Sequence, residues 1–81
     1  MKYDKLNFDS LKSLLAGMCS LSPDEINSLE KKCFDFAITT TRPNNEVTFL
    51  LLEKSYMTLA TRKATYAQIM NNFEYWMMMP L

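Results

Sequence analysis

Three observations predict an all-α fold, a small bundle of three to four helices in a single domain over residues 1–81. The segment Leu21-Ser22-Pro23-Asp24-Glu25-Ile26 meets several requirements of a helix start at once. Apolar residues recur at spacings of three and four along most of the chain, the period of one helix face. Only one run, Val47 to Leu52, reads as a strand, and with no second run to pair with it an isolated strand is unstable.

Asp9 is the expected cap of a first short helix, with Leu11, Leu14, Leu15 and Met18 on its buried face and Phe8 just outside it. Gly17, the only glycine, suits the close of that helix because it takes positive φ at little steric cost. At the second start, Ser22 accepts an orphan amide as N-cap and Pro23 lacks the N–H that would go unpaired there. Glu25 completes a capping box, and Leu21 closes on Ile26 as a hydrophobic staple. From there Ile26, Leu29, Cys33, Phe36 and Ala37 follow helical spacing, while Phe34 and Ile38 widen the stripe to about half the circumference. Such a helix is expected to be central and packed on more than one side.

The cluster Thr39-Thr40-Thr41-Arg42-Pro43-Asn44-Asn45 marks a break with a turn. Asn44 or Asn45 is the expected cap of a third helix, with Val47, Leu50, Leu51 and Met57 on one face and Phe49, Leu52, Tyr56 and Leu59 on the next. Thr61-Arg62-Lys63-Ala64-Thr65 is a weak boundary, which leaves the third and fourth helices either separate or continuous. The last segment sets Tyr66, Ile69, Met70, Phe73, Trp76 and Met77 along one face, and Pro80 ends it.

Eighty-one residues make one domain, close to the lower limit for folding without disulfides or metals. A hydrophobic content of 48% with 22% charged residues is ordinary for a globular chain and excludes compositional disorder. Apolar runs such as Phe49 to Leu52 are far short of the roughly 20 residues of a spanning helix, so no direct membrane insertion is expected. Nine basic and nine acidic side chains cancel, which removes the electrostatic footprint expected of a nucleic-acid binder. The start, Met1-Lys2-Tyr3-Asp4-Lys5, has no apolar stretch behind it, so no secretory leader is expected. Cys19 and Cys33 form neither a C-x-x-C pair nor a zinc pattern, and are expected to be two buried thiols in a reducing cytosol.

Catalysis needs a nucleophile with a base, a carboxylate pair in a cleft, a metal or a phosphate-cradling loop. No histidine is present, and one glycine cannot build a phosphate loop. Asp24 and Glu25 are explained by the helix dipole. No catalytic residue, cofactor site or metal site is therefore expected. The alternative reading is a small helix-turn-helix DNA-binding or transcription cofactor, with Arg62 and Lys63 opening a recognition helix over Thr61 to Asn72, but its turn lacks glycine.

The better candidate is the sequence end, Phe73-Glu74-Tyr75-Trp76-Met77-Met78-Met79-Pro80-Leu81. Methionine adapts to irregular partner surfaces, and Trp and Tyr supply large anchors with a polar edge. Trp76 and Met77 either fill this domain's own core or contact a partner. Three consecutive methionines exceed what one-sided packing needs, which favours a partner. Homodimerisation through the same surface would serve equally.

In overall length, in the opening Met1-Lys2-Tyr3-Asp4-Lys5-Leu6-Asn7-Phe8, in the block Leu21-Ser22-Pro23-Asp24-Glu25 and in the ending Tyr75-Trp76-Met77, the chain resembles the small cytoplasmic lysis-inhibition proteins of T-even bacteriophages, which are accessory antiholins. The resemblance implies a non-enzymatic protein of the host cytosol that binds the cytoplasmic segment of the phage holin and delays lysis together with a periplasmic antiholin. Arg42 departs from the pattern, since the family is associated with a histidine at that turn. If the turn touches the holin, a permanent guanidinium replaces a titratable ring there. The expected partner-binding residues are Arg42, Phe73, Tyr75, Trp76, Met77, Met78 and Met79.

Overall fold

The computed structural model describes residues 7–80, and the opening residues 1–6 and Leu81 lie outside it. Five helices follow in order: α1 (Phe8–Met18), α2 (Pro23–Ala37), α3 (Asn44–Thr61), α4 (Tyr66–Asn71) and α5 (Phe73–Met78). No strand occurs among the described residues, and Val47 to Leu52 is helical. No helix among them is long and apolar enough to cross a membrane. α2 and α3 form the most extensive contact, with α1 against both, α4 against α2 and α5 against α3.

The cap of α1 is Asn7, not Asp9: its Oδ1 accepts from the Ser10 amide at 2.9 Å. Starting earlier makes Phe8 the first helical residue, and its ring meets Phe49 of α3 edge-on at 5.2 Å. The buried line of α1 is Leu11 and Leu15, while Leu14 and Met18, expected inside, lie exposed on its flank. Gly17 stays within the helix, with open space where a Cβ would stand. The left-handed residue that closes the turn is Ser20, φ 59°, which places the reversal where Leu21 can re-enter the core.

α2 begins as its sequence requires. Ser22 Oγ accepts from the Glu25 amide at 3.2 Å, and Glu25 Oε1 accepts from the Ser22 amide at 2.8 Å. Ile26, Leu29, Cys33 and Ala37 are buried and Phe36 is half-buried, but Phe34 and Ile38 are exposed. The neighbours of α2 cover a narrower stripe than its apolar residues offer.

α3 departs furthest from its expected pattern. Its N-cap is Pro43, which offers no side-chain cap, and Asn44 and Asn45, either of them expected as the cap, lie inside the helix, Asn45 with its Oδ1 accepting from the Glu46 amide at 2.9 Å. The inward line is Thr48, Leu52, Ser55 and Thr58, whereas Val47, Leu50 and Leu51 are half-buried and Met57 is exposed. Small hydroxyl residues join Leu52 on the inward side, and Ser55 lies against the Cys33 thiol of α2. Two of these hydroxyls are satisfied within the helix: Ser55 Oγ donates to the Leu51 carbonyl at 2.9 Å and Thr58 Oγ1 to the Lys54 carbonyl at 2.8 Å.

The weak boundary after Thr61 is a true break, built like the end of α1. Lys63 takes φ 62°, and the Ala64 amide returns to the Thr58 carbonyl at 3.4 Å, as the Leu21 amide returns to Leu15 at 3.2 Å. Thr65 then forms a second capping box with Gln68. The last expected helix is divided at Asn72, φ −145° and ψ 49°, which separates α4 from α5. Its apolar face survives the division: Ile69, Phe73 and Met77 are buried, and Tyr66, Met70 and Trp76 are half-buried against them.

Candidate functional site

α5 is six residues long, about two turns, too short to hold its shape alone. Its position comes from anchors on both sides. Phe73 is buried beside Phe36 of α2, ring centroids 5.9 Å apart, and Met77 is buried with its sulfur 3.8 Å from Ser55 Oγ. Lys54 Nζ donates to the Met77 carbonyl at 2.8 Å, occupying an acceptor that the end of α5 leaves open. Arg62 reaches the Met79 sulfur and the Pro80 carbonyl from the far end of α3. Trp76 Nε1 donates to the Gln68 carbonyl at 3.1 Å, so the indole ties α5 back to α4.

The candidate residues therefore divide. Phe73 and Met77 belong to this domain's own core, and Trp76 and Met79 are half-buried. Tyr75 is 53% exposed and Met78 is 73% exposed, and both border a shallow concavity with Asn72 and Glu74. The Tyr75 ring stands edge-on to Trp76 at 5.4 Å. Arg42 is not part of this group: it pairs with Glu46 at 2.7 Å, before the first turn of α3. Arg62, which holds Met79, follows the last turn, and 18 helical residues separate the two ends by about 27 Å.

Lys54 and Arg62 are the residues that sequence patterning missed. Their partners lie 23 and 17 or 18 positions away, beyond the range of any local spacing rule. The Thr65-x-x-Gln68 box, in contrast, carries the same signal as Ser22-x-x-Glu25 and was readable.

Cys33 is buried, and burial pushes its thiol up to about 12, an effect that the hydrogen bond with Ser55 only partly offsets. Such a thiol stays protonated near neutrality and is a poor nucleophile. Cys19, expected to be buried as well, is only half-buried, and its thiol too is raised by burial.

In the region read alternatively as a recognition helix, α4 spans six residues and Arg62 is engaged with the end of the chain. Lys31 pairs with Asp35 at 3.1 Å. Comparison with protein-family models, with curated proteins and with solved structures finds no match to this chain.

Proposed function

We propose that this chain is a non-enzymatic protein-binding module whose partner docks on the outer side of α5, at Tyr75 and Met78, with Trp76 and Met79 at the rim. The observation that carries this reading is the exposure of Met78 and Tyr75 on a helix whose other side is anchored by Phe73 and Met77. An exposed aromatic beside a flexible thioether makes a suitable anchor pair, because the ring supplies large contact area and the thioether adapts to an irregular partner surface.

The resemblance to T-even antiholins suggests the partner: the cytoplasmic segment of a phage holin, held in a non-lethal arrangement so that lysis is delayed. Occupying one assembly surface of the holin suffices for that. Localisation in the host cytosol belongs to the same proposal.

The test is capture of the soluble cytoplasmic holin segment by the wild type and by a Tyr75→Ser, Met78→Ser double variant. Both residues are exposed, so the variant keeps its core. The expected outcome is loss of capture by tenfold or more, an interface contribution of about 1.4 kcal/mol. Undiminished capture by the folded variant moves the site away from α5, with Arg42→Ala as the next arm. No capture by the wild type overturns the holin assignment.

A further inference from the structure

On the side of the bundle where α1 begins, Phe8, Asn27, Glu30, Lys31, Phe34 and the first turns of α3 line an open cavity of about 520 Å³. That volume falls within the roughly 300–1,000 Å³ typical of small-molecule sites. Asn44, Asn45 and Thr48 complete the α3 wall. Thr48 is only 4% exposed, and its Oγ1 has no hydrogen-bond partner among the described residues.

The contrast within α3 is informative. Ser55 and Thr58, buried on the same helix, turn their hydroxyls back to carbonyls four residues earlier, whereas Thr48 leaves its own unpaired. A buried hydroxyl without a partner costs about 1–3 kcal/mol. The one left unsatisfied belongs to the residue that also lines the pocket, although its Oγ1 is itself covered.

We propose that this cavity is a binding site for a small, neutral aromatic molecule carrying one hydrogen-bonding group, of phenol or indole type. The rings of Phe8 and Phe34 supply apolar walls, and Phe34 is 46% exposed among the described residues. The ligand is neutral because both charges of the lining already have partners: Glu30 holds Lys12 at 2.8 Å and Lys31 holds Asp35 at 3.1 Å. Its polar group pairs with the Thr48 hydroxyl, which is itself covered in the ligand-free chain and reaches the pocket by a turn about χ1. The side-chain amides of Asn27 and Asn44 edge the mouth. This site is separate from α5 and does not depend on the docking surface proposed there.

The experiment is a titration of the full chain with phenol, indole, toluene and benzoate, followed by NMR shifts of the Thr48 methyl and of the Phe8 and Phe34 rings. Expected are saturable shifts with phenol and indole in the millimolar range, weaker binding of toluene, and no saturation with benzoate. Thr48→Val, equal in volume and lacking the hydroxyl, should lower phenol affinity about tenfold and leave toluene unchanged, the fold-change of one lost hydrogen bond. Phe34→Ala, at an exposed wall, should weaken both. Absence of saturation with phenol and indole overturns the site. Equal phenol binding by wild type and Thr48→Val overturns the role given to the hydroxyl.

Discussion

The junctions α1–α2 and α3–α4 are built on one scheme, yet they lead to helices of very different length. Each has a left-handed residue, Ser20 or Lys63, then a buried apolar residue, Leu21 or Ala64, then a capping box closed by Glu25 or Gln68. They also face each other across a shared depression lined by Cys19, Ser20, Lys63 and Ala64. After the first, α2 continues for 15 residues; after the second, α4 stops after 6. The starting signals are equivalent, so the cap does not set the length. Burial does: α2 has Ile26, Leu29, Cys33 and Ala37 inside, while α4 has only Ile69. Capping lowers the cost of the first turn, and packing of successive turns prolongs it.

The sharpest way to break this comparison is Ile69→Ala. Ile69 is fully buried and is the one core residue of α4, so the substitution should cost about 2–5 kcal/mol, readable by urea denaturation. Amide exchange should then rise first in residues 66–78 while α2 stays protected. Loss of protection in α2 at the same rate would show that the second junction is not an independent unit.

Removing the caps should give smaller and unequal losses. Ser22→Ala and Thr65→Ala each cost about 1 kcal/mol in global stability. The local consequence differs: α4 has no second buried residue to retain it, so Thr65→Ala should raise amide exchange through Asn71, whereas Ser22→Ala should affect only the first turn of α2.

The smallest effects have the opposite sign. Ser20→Gly and Lys63→Gly should each stabilise the fold by up to about 1 kcal/mol, because φ near 60° strains a residue bearing a Cβ. Gly17→Ala, in open space inside α1, should add a similar amount. Thermal denaturation of the three variants checks these signs together, and destabilisation by either junction glycine would mean that the left-handed turn is not under strain.

Legibility followed the same division between local and distant causes. The start of α2 was readable to the atom because a capping box is contained in four consecutive residues. The apolar face shared by α4 and α5 was readable because its spacing survives the interruption at Asn72. α3 is a helix as expected, and of its two expected faces the one carrying Phe49, Leu52, Tyr56 and Leu59 packs on the core. Beside Leu52 the fully inward residues are Thr48, Ser55 and Thr58, which apolar spacing does not pick out; that spacing pointed to Val47, Leu50 and Met57 instead. At the candidate site, sequence identified a crowded apolar end but could not divide it into Phe73 and Met77 inside and Tyr75 and Met78 outside. That division depends on Lys54 and Arg62, whose reach is visible only once α3 and α5 lie side by side.

The link from Lys54 to the Met77 carbonyl spans 23 positions, and it has a consequence for synthesis. A chain emerging from the ribosome in order delivers α1, α2 and α3 before the residues that seal Ser55 and the adjoining flank. The bundle is thus closed by α5, made after the four helices that precede it, and a nascent chain interrupted before Phe73 presents an unsealed flank to the chaperones around it.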